Sequence, residues 1–143
     1  MREILFRGQT RRKGEKVRLD GSPVDSNWVY GGIFPNNDGG DFAIIYQQEP
    51  EIHKFPVYAD TIGQYTGLTD MNGTEIFEGD ILCYEGGSDY AVVKYRGDRA
   101  AFFVENEDRE EYLGEAWDTD VIVVGNIHDN PELIGEVNPN ENH

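Results

Sequence analysis

The feature that most constrains the fold is one continuous run, Thr61 to Tyr84, in which turn residues separate short apolar and β-branched stretches. Asn72-Gly73 lies in the middle of this run, between the stretches 68–71 and 74–77. Asn and Gly tolerate the positive φ that both central residues of a type I′ turn require, so the dipeptide predicts a two-residue β-hairpin. The run therefore indicates antiparallel strands.

A second turn follows the hairpin at Glu78-Gly79-Asp80. Its glycine and acids mark the start of a short apolar strand over residues 81–84. This strand contains Cys83, the single cysteine of the chain, which therefore cannot form an internal disulfide. Because Cys83 lies between Leu82 and Tyr84, we expect a small buried hydrophobic residue in a reducing compartment.

Aromatic and β-branched residues fill the stretches between the 17 glycines, a composition that is typical of β-sheet proteins. Further strands are predicted at residues 4–6, 28–34, 42–47, 57–58, 91–96 and 100–104. The last two should pair antiparallel through a turn at Arg96-Gly97-Asp98, and 36–40 reads as a hairpin loop.

The last third of the chain is more ambiguous. Val121 to Val124 is apolar on both faces, which predicts a central strand. Glu105 to Trp117 is the one place where a short helix could form, although its acids fit a loop equally well. Asn130-Pro131-Glu132-Leu133 predicts a turn that opens into a single helical turn, because proline is tolerated at a first helical position.

The residues Gly63 to Asp80 also carry a resemblance. The pattern Gly-Gln-Tyr-Thr-Gly-Leu, then Asp70, Asn72-Gly73 and Ile76 to Ile81, resembles the hallmark of the YopX-like family of small proteins, which phages and prophages of Gram-positive bacteria encode. The similarity extends to residues 1–8, 27–32 and 121–133. Two segments depart from the family pattern. The segment 9–26 is longer and more basic than the corresponding part of the family, and residues 134–143 have no counterpart there.

The resemblance implies a mainly β fold and a phage origin, and it brings no established activity and no catalytic residues. Together with the turn pattern, it predicts a mainly β, single compact domain of antiparallel strands with little helix. Its C-terminal half resembles an SH3-like barrel.

The predicted domain spans residues 1–135, with an N-terminal lobe of about 1–66 and a C-terminal barrel-like lobe of about 67–135. A chain of 143 residues suits one domain with a core of its own. Residues 136–143 are expected to form an acidic flexible tail, since they cannot bury enough surface to offset their ordering entropy.

Charge is distributed unevenly along the chain. It has 12 Lys and Arg against 28 Asp and Glu, a formal net charge of −16. Residues 1–18 hold seven basic and two acidic residues, a net charge of +5, which leaves five basic and twenty-six acidic residues, a net charge of −21, for the rest. A field of that sign repels phosphate backbones and anionic lipids, so we expect no specific nucleic acid and no membrane as partner.

The basic cluster Arg11, Arg12 and Lys13 is the exception to this negative field. One interpretation is a solvated loop whose charges offset nearby acids. The other is a basic arm that docks on nucleic acid or on an acidic partner.

The sequence lacks the motifs that carry chemistry: there is no HExxH, no CxxC, no phosphate loop with Lys-Ser/Thr and no G-x-S-x-G elbow. The three histidines, His53, His128 and His143, are scattered. Asp80 and His128 could in principle form a general acid/base couple. A turn cap at Asp80 and a strand end at His128 explain the two residues without any special role, and we favour that interpretation. We therefore expect no enzyme, no catalytic residues, no cofactor and no metal site.

Two functional hypotheses follow for the host cytoplasm. The first is a non-catalytic accessory protein that presents Trp28, Tyr30, Tyr65 and Trp117 to a host or phage protein. The second is an acidic decoy that imitates nucleic acid and occupies a DNA-binding protein. The identity of the partner and a homo-oligomeric state are left open by the sequence.

Overall fold

The computed structural model describes residues 5–15, 21, 23–34, 40–48, 51–84, 89–107, 110–113 and 120–135. The chain divides into two compact units, Met1–Tyr65 and Thr66–His143, close to the expected division between two lobes. That the two lobes form one domain stays a prediction. Three expectations fall outside the described residues: most of the loop at 36–40, Trp117, and the tail 136–143.

The first unit is an antiparallel sheet. Its strands are β1 (Phe6–Arg11), β2 (Asn27–Phe34), β3 (Phe42–Gln47), β4 (His53–Tyr58) and the first residues of β5 (Gly63–Thr69). They follow the spatial order β4-β3-β2-β1-β5. The core consists of Ala43, Ile45 and Val57, with Phe6, Val29, Ala59 and Ile62 packed against it.

The second unit contains the rest of β5, β6 (Glu75–Phe77), β7 (Asp80–Tyr84), β8 (Ala91–Arg96), β9 (Ala101–Glu105), β10 (Glu110–Tyr112) and β11 (Val121–Asn126). The last five form a sheet of order β10-β9-β8-β7-β11, and each neighbouring pair is antiparallel. Its core comprises Ile76, Leu82, Ala91, Val93, Val104 and Val121. Cys83 is 3% exposed, which confirms its expected burial.

The predicted mainly β class with antiparallel strands is confirmed. Among the described residues the helical elements are two short 3₁₀ turns, Ala59–Thr61 and Pro131–Ile134. The second confirms the helical turn that Pro131 indicates. The SH3-like barrel is not confirmed, because in the described ranges the second sheet is open, with β10 and β11 at its edges.

The hairpin at Asn72-Gly73 is present, but the predicted two-residue type I′ turn is wrong. Of the two central residues only Gly73 has a positive φ, +85°. The N–H of Gly73 donates to the carbonyl of Asp70, and the N–H of Asp70 donates to the carbonyl of Thr74. The loop therefore has three residues, and its glycine takes the left-handed conformation. Three-residue loops of this kind also connect antiparallel strands in tight hairpins.

The prediction of a central strand at Val121 to Val124 is also wrong, because β11 lies at the edge of its sheet. β7 pairs with one side of β11. On the other side, the hairpin turn bonds to the strand: the N–H of Met71 donates to the carbonyl of Val121, and that of Val123 donates to Asp70. The turn thus covers an apolar edge that would otherwise require a neighbouring strand.

The interpretation of Glu105 to Trp117 as a helix or a loop is corrected for its described part. Glu110–Tyr112 is the edge strand β10, paired with β9 so that Tyr112 lies opposite Phe103. The two rings are in contact, with centroids 4.4 Å apart. This cross-strand pair, together with the Arg96–Glu110 ion pair, stabilises an extended backbone in spite of the acids.

Candidate functional site

The outer face of the first unit's sheet carries a group of aromatic side chains. The register pairs Phe42 with Tyr58 and Tyr46 with both Lys54 and Gly32, and it places Phe34 opposite Ile44. Because paired residues share a face of a sheet, these side chains lie on the side opposite the core residues Ala43, Ile45 and Val57. We call this surface the aromatic face; its members are Tyr30, Phe34, Phe42, Tyr46 and Tyr58.

Four rings of the aromatic face form two contacting pairs. The centroids of Phe34 and Tyr46 are 4.7 Å apart, and those of Phe42 and Tyr58 are 4.9 Å apart. Tyr30, Phe34 and Phe42 are 41, 42 and 47% exposed. Large aromatic side chains bury most of their surface in a typical core, so three half-exposed rings on one sheet face form a surface suited to contact with another molecule.

Gly32 determines the position of one of these rings. A Cβ atom at Gly32 would lie 2.5 Å from Cζ of Tyr46, so the tyrosine ring lies across the space that the glycine leaves open. A side chain at position 32 would displace the ring. The position of the Tyr46 ring on the aromatic face therefore depends on the glycine.

Two cations accompany the rings. Nζ of Lys54 lies 5.4 Å from the centroid of the Phe34 ring, and the guanidinium of Arg12 lies 4.0 Å from that of Tyr58. Arg12 also donates from Nη2 to both carboxylate oxygens of Asp60, at 2.9 and 3.1 Å. Its charge is therefore already compensated within the unit, which agrees with the interpretation of the basic cluster as a loop that offsets nearby acids.

The other predicted contact residues that the structure describes are less exposed than Tyr30 or lie in the basic cluster. Trp28 is partly buried, with the guanidinium of Arg7 4.6 Å from its ring centroid. Tyr65 is only 8% exposed and belongs to the interior. Arg11 and Lys13 are exposed beside Arg12. By the alternation of β2, Trp28 lies on the same side of the sheet as Tyr30, but it is less exposed.

Sequence reasoning did not single out Phe34, Phe42, Tyr46 and Tyr58. The alternation within β3 carries a partial signal, because Phe42, Ile44 and Tyr46 recur with period two. The intervening Ala43 and Ile45 are equally apolar, however, so the sequence does not tell which set faces the core.

The second unit contains a cleft of about 560 Å³ on the outer face of β8 and β9. The 3₁₀ turn Pro131–Ile134 lines part of it. The lining residues are Asp89, Tyr90, Val92, Lys94, Glu105, Asn106, Glu107, Leu133, Ile134 and Gly135.

The polar groups of this cleft hold one another in place. Nζ of Lys94 lies 3.1 Å from Oε1 of Glu105. The hydrogen bond and charge of that ammonium hold the pKa of Glu105 below its usual value, against the opposing effect of partial burial. The side-chain amide of Asn106 donates to Oδ1 of Asp89 at 3.0 Å and to the carbonyl of Tyr90 at 3.2 Å.

The two units differ strongly in charge. Met1–Tyr65 contains eight basic and nine acidic residues, a net charge of −1, whereas Thr66–His143 contains four basic and nineteen acidic residues, a net charge of −15. No cluster of three or more metal-ligating side chains is found within the described ranges. In the same ranges, no helix has the length and hydrophobicity that a membrane span needs.

Asp80 serves as a turn cap: its Oδ2 accepts a hydrogen bond from the N–H of Phe77 at 2.7 Å. The N–H of His128 donates to Oδ1 of Asn126, the residue opposite Asp80 in the register of β7 and β11. The turn-cap explanation therefore accounts for Asp80.

Comparison with known proteins adds a family and a structural relative. Residues 25–135 match the family described as YopX protein. Protein EF1440 from Enterococcus faecalis, known from a crystal structure, is similar in fold, with 22% identity, a TM-score of 0.54, and coverage of 94% of this chain and 99% of that chain. No curated protein matches the chain. Because the family match covers most of the sequence, the chain belongs to the YopX protein family.

Proposed function

We propose that this chain is a non-catalytic protein-binding β module, encoded by a phage or prophage and acting in the cytoplasm of a bacterial host. The observation that carries the proposal is the aromatic face, where Tyr30, Phe34 and Phe42 are about half exposed on one side of a sheet. Aromatic anchors contribute disproportionately to protein–protein affinity, and they lose little conformational entropy on binding.

The construction of the face supports the same conclusion. Four of its rings are held by pairwise contact, and Tyr46 also fills the space above Gly32, so a partner would meet a largely preorganised surface. The absence of catalytic motifs from the sequence supports a binding role over an enzymatic one.

The experiment is a capture assay with three purified proteins: wild type, Phe34→Ala/Phe42→Ala, and Tyr95→Ala. Tyr95 is the matched control, since it is 45% exposed, contacts another ring at 5.2 Å, and lies in the other unit. Each protein is immobilised and exposed to lysate of a Gram-positive host, with and without phage infection. We expect a protein that wild type and Tyr95→Ala retain and the double variant loses. Equal retention by all three would refute the aromatic face as the binding surface.

A second candidate function is the acidic decoy, which the net charge of −15 on the second unit favours. A decoy would bind a DNA-binding protein through its carboxylates, so its affinity should fall steeply with salt. The affinity of an interface centred on aromatic rings should change little with salt. Repeating the capture between about 50 and 500 mM NaCl separates the two functions, since the Debye length falls from about 10 Å at 0.1 M to 3 Å at 1 M.

A further inference from the structure

Asn72-Gly73 is the only Asn-Gly dipeptide of the chain, and both residues are exposed at the tip of the hairpin. Asparagine is chemically labile where the backbone nitrogen of the next residue can reach its side-chain carbonyl, and glycine obstructs that approach least because it has no side chain. Apart from its two chain neighbours, no atom of the described residues lies within 4 Å of the Cβ position of Gly73. The described surroundings therefore do not crowd the reacting pair.

The reaction that this pair favours is deamidation through a cyclic imide. The backbone nitrogen of Gly73 forms a bond to Cγ of Asn72, the bond between Cγ and Nδ2 breaks, and ammonia leaves with the proton of the Gly73 nitrogen. Water then opens the imide at one of its two carbonyls. The product is aspartate, or isoaspartate, in which the main chain runs through the former side chain. Water is the only co-reactant, so the reaction needs no enzyme and no cofactor.

The closed turn opposes this reaction. The N–H of Gly73 donates to the carbonyl of Asp70 at 3.0 Å, and the nitrogen has to lose that bond and its proton when it attacks. Oδ1 of Asp70 also accepts from the N–H groups of Asn72 and Thr74, at 2.8 and 2.9 Å, which fixes the backbone on both sides of the reacting nitrogen. Ring closure therefore requires the turn to open, a local event with a free energy of its own.

We propose that Asn72 is a site of spontaneous deamidation, and that the bonds which Asp70 makes within the turn set its rate. Either product adds a carboxylate two residues from that of Asp70, and isoaspartate also adds one atom to the main chain of the loop. Like charges repel, and a longer loop no longer matches the spacing of its hydrogen bonds, so the modified turn is held less firmly on β11. This modification is independent of the proposed function, since it lies in the second unit and involves no partner.

The test is incubation of the full chain at neutral pH and physiological temperature, followed by mass spectrometry of tryptic digests against an unincubated sample. The tryptic peptide 55–94 contains Asn72 as its only asparagine, so the mass gained when NH₂ is replaced by OH can be assigned to this residue once fragment spectra exclude Gln64. A synthetic peptide of residues 68–77 gives the rate without the fold. We expect the protein to react at least about tenfold more slowly than the peptide, because only its open fraction reacts.

Two variants separate opening of the turn from global unfolding. Asp70→Ala removes both acceptor oxygens, whereas Val104→Ala weakens the core of the second unit and leaves the bonds of the turn in place. We expect Asp70→Ala to deamidate at least about fivefold faster than wild type, the smallest factor that the loss of a buried hydrogen bond gives. Val104→Ala should stay within about twofold of wild type, since local opening does not require the core to unfold.

Three results would overturn the proposal: equal rates in the peptide and the protein, equal rates in wild type and Asp70→Ala, or equal acceleration by Asp70→Ala and Val104→Ala. Circular dichroism before incubation checks that each variant is folded. If Asp70→Ala does not fold, Asp70→Ser replaces it, because serine keeps one acceptor oxygen and should still react faster than wild type. No partner enters these measurements, so their failure leaves the capture assay with Phe34→Ala/Phe42→Ala unaffected.

Discussion

The carboxylate of Asp70 accepts a hydrogen bond from the backbone N–H of Val123, 53 residues further along the chain, at 3.0 Å. Its other oxygen accepts from the N–H groups of Asn72 and Thr74, at 2.8 and 2.9 Å. One side chain thus closes the hairpin loop and fixes that loop to the edge of β11. Asp70 is 7% exposed, so these bonds are shielded from water.

Asp70→Asn should lower the free energy of unfolding by roughly 1–3 kcal/mol, because an amide cannot accept on both sides and one buried N–H loses its partner. Urea denaturation at neutral pH measures the change. Glu75→Gln is the control, since Glu75 is exposed in the same unit, and it should stay within about 0.5 kcal/mol of wild type. Equal effects of the two variants would contradict the role of Asp70.

The same residue should make stability depend on pH. Burial alone would raise the pKa of Asp70, but the N–H groups of Val123, Thr74 and Asn72 and the hydroxyl of Thr74 outweigh it, so the pKa lies below the ordinary 3.8. The contribution of the carboxylate is therefore present above the unfolded value of 3.8 and is lost as the pH falls through the lower folded pKa.

This linkage can be measured as a difference. The gap in unfolding free energy between wild type and Asp70→Asn should be constant from neutral pH to about pH 5, and it should narrow as the pH falls below the unfolded value of 3.8. A gap that widens on acidification would show that the folded carboxylate has a raised pKa.

Gly73→Val should destabilise the protein by about 1–2 kcal/mol, the cost of a left-handed conformation for a residue with a side chain. Apart from its two chain neighbours, no atom of the described residues lies within 4 Å of an added Cβ at Gly73, so the loss would come from the backbone at φ +85° and not from a clash. Gly97→Val is a matched control: Gly97 also has open space around its Cβ position, and its φ is not positive. Thermal unfolding of both variants checks the difference.

Ala100→Gly should stabilise the protein by up to about 1 kcal/mol. Ala100 has a φ of +50° in the turn between β8 and β9. Glycine relieves a strain of roughly 1–2 kcal/mol there and adds roughly 0.5–1 kcal/mol of unfolded-state entropy. Ala101→Gly, one residue later in β9, lacks the strain and should destabilise. A loss of stability in Ala100→Gly as large as that in Ala101→Gly would rule out strain at position 100.

The basic cluster should not bind duplex DNA measurably at about 150 mM salt. Arg12 is compensated by Asp60, and the whole cluster could contact only about three phosphates, an attraction that fades at that ionic strength. Fluorescence anisotropy with a labelled duplex measures this. Micromolar binding that Arg11→Ala/Arg12→Ala/Lys13→Ala abolishes would make the cluster a functional site.

Much of the strand arrangement could be predicted from the sequence, because local signals determine it. The turn at Arg96-Gly97-Asp98 and the alternation in 91–96 correctly predicted the pairing of β8 with β9. The place of β11 could not be predicted, since the group that replaces its neighbouring strand is the side chain of Asp70, distant in sequence. The edge strand Glu110–Tyr112 could not be predicted either, because the residue that stabilises it, Phe103, also belongs to another strand.

The candidate surfaces were less accessible to sequence reasoning than the fold. Tyr30 could be named because it is an aromatic residue in a predicted strand, whereas Tyr65 has the same local pattern and is buried. Whether such an aromatic residue is exposed or buried depends on which face of its strand packs against the core. The packing of the assembled sheet determines that face, and the local sequence does not. The cleft joins 89–94, 105–107 and 133–135, and no local pattern links these three segments.

The turn that bonds to β11 also has a consequence for the protein at high concentration. The outer edge of β11 is the backbone of an apolar strand, and an open edge of that kind recruits strands from other molecules. Asp70 and Met71 occupy the hydrogen-bonding groups through which such recruitment would begin. Resistance to intermolecular strand pairing therefore depends on one short loop staying closed, in addition to the mutual repulsion of molecules that each carry a net charge of −16.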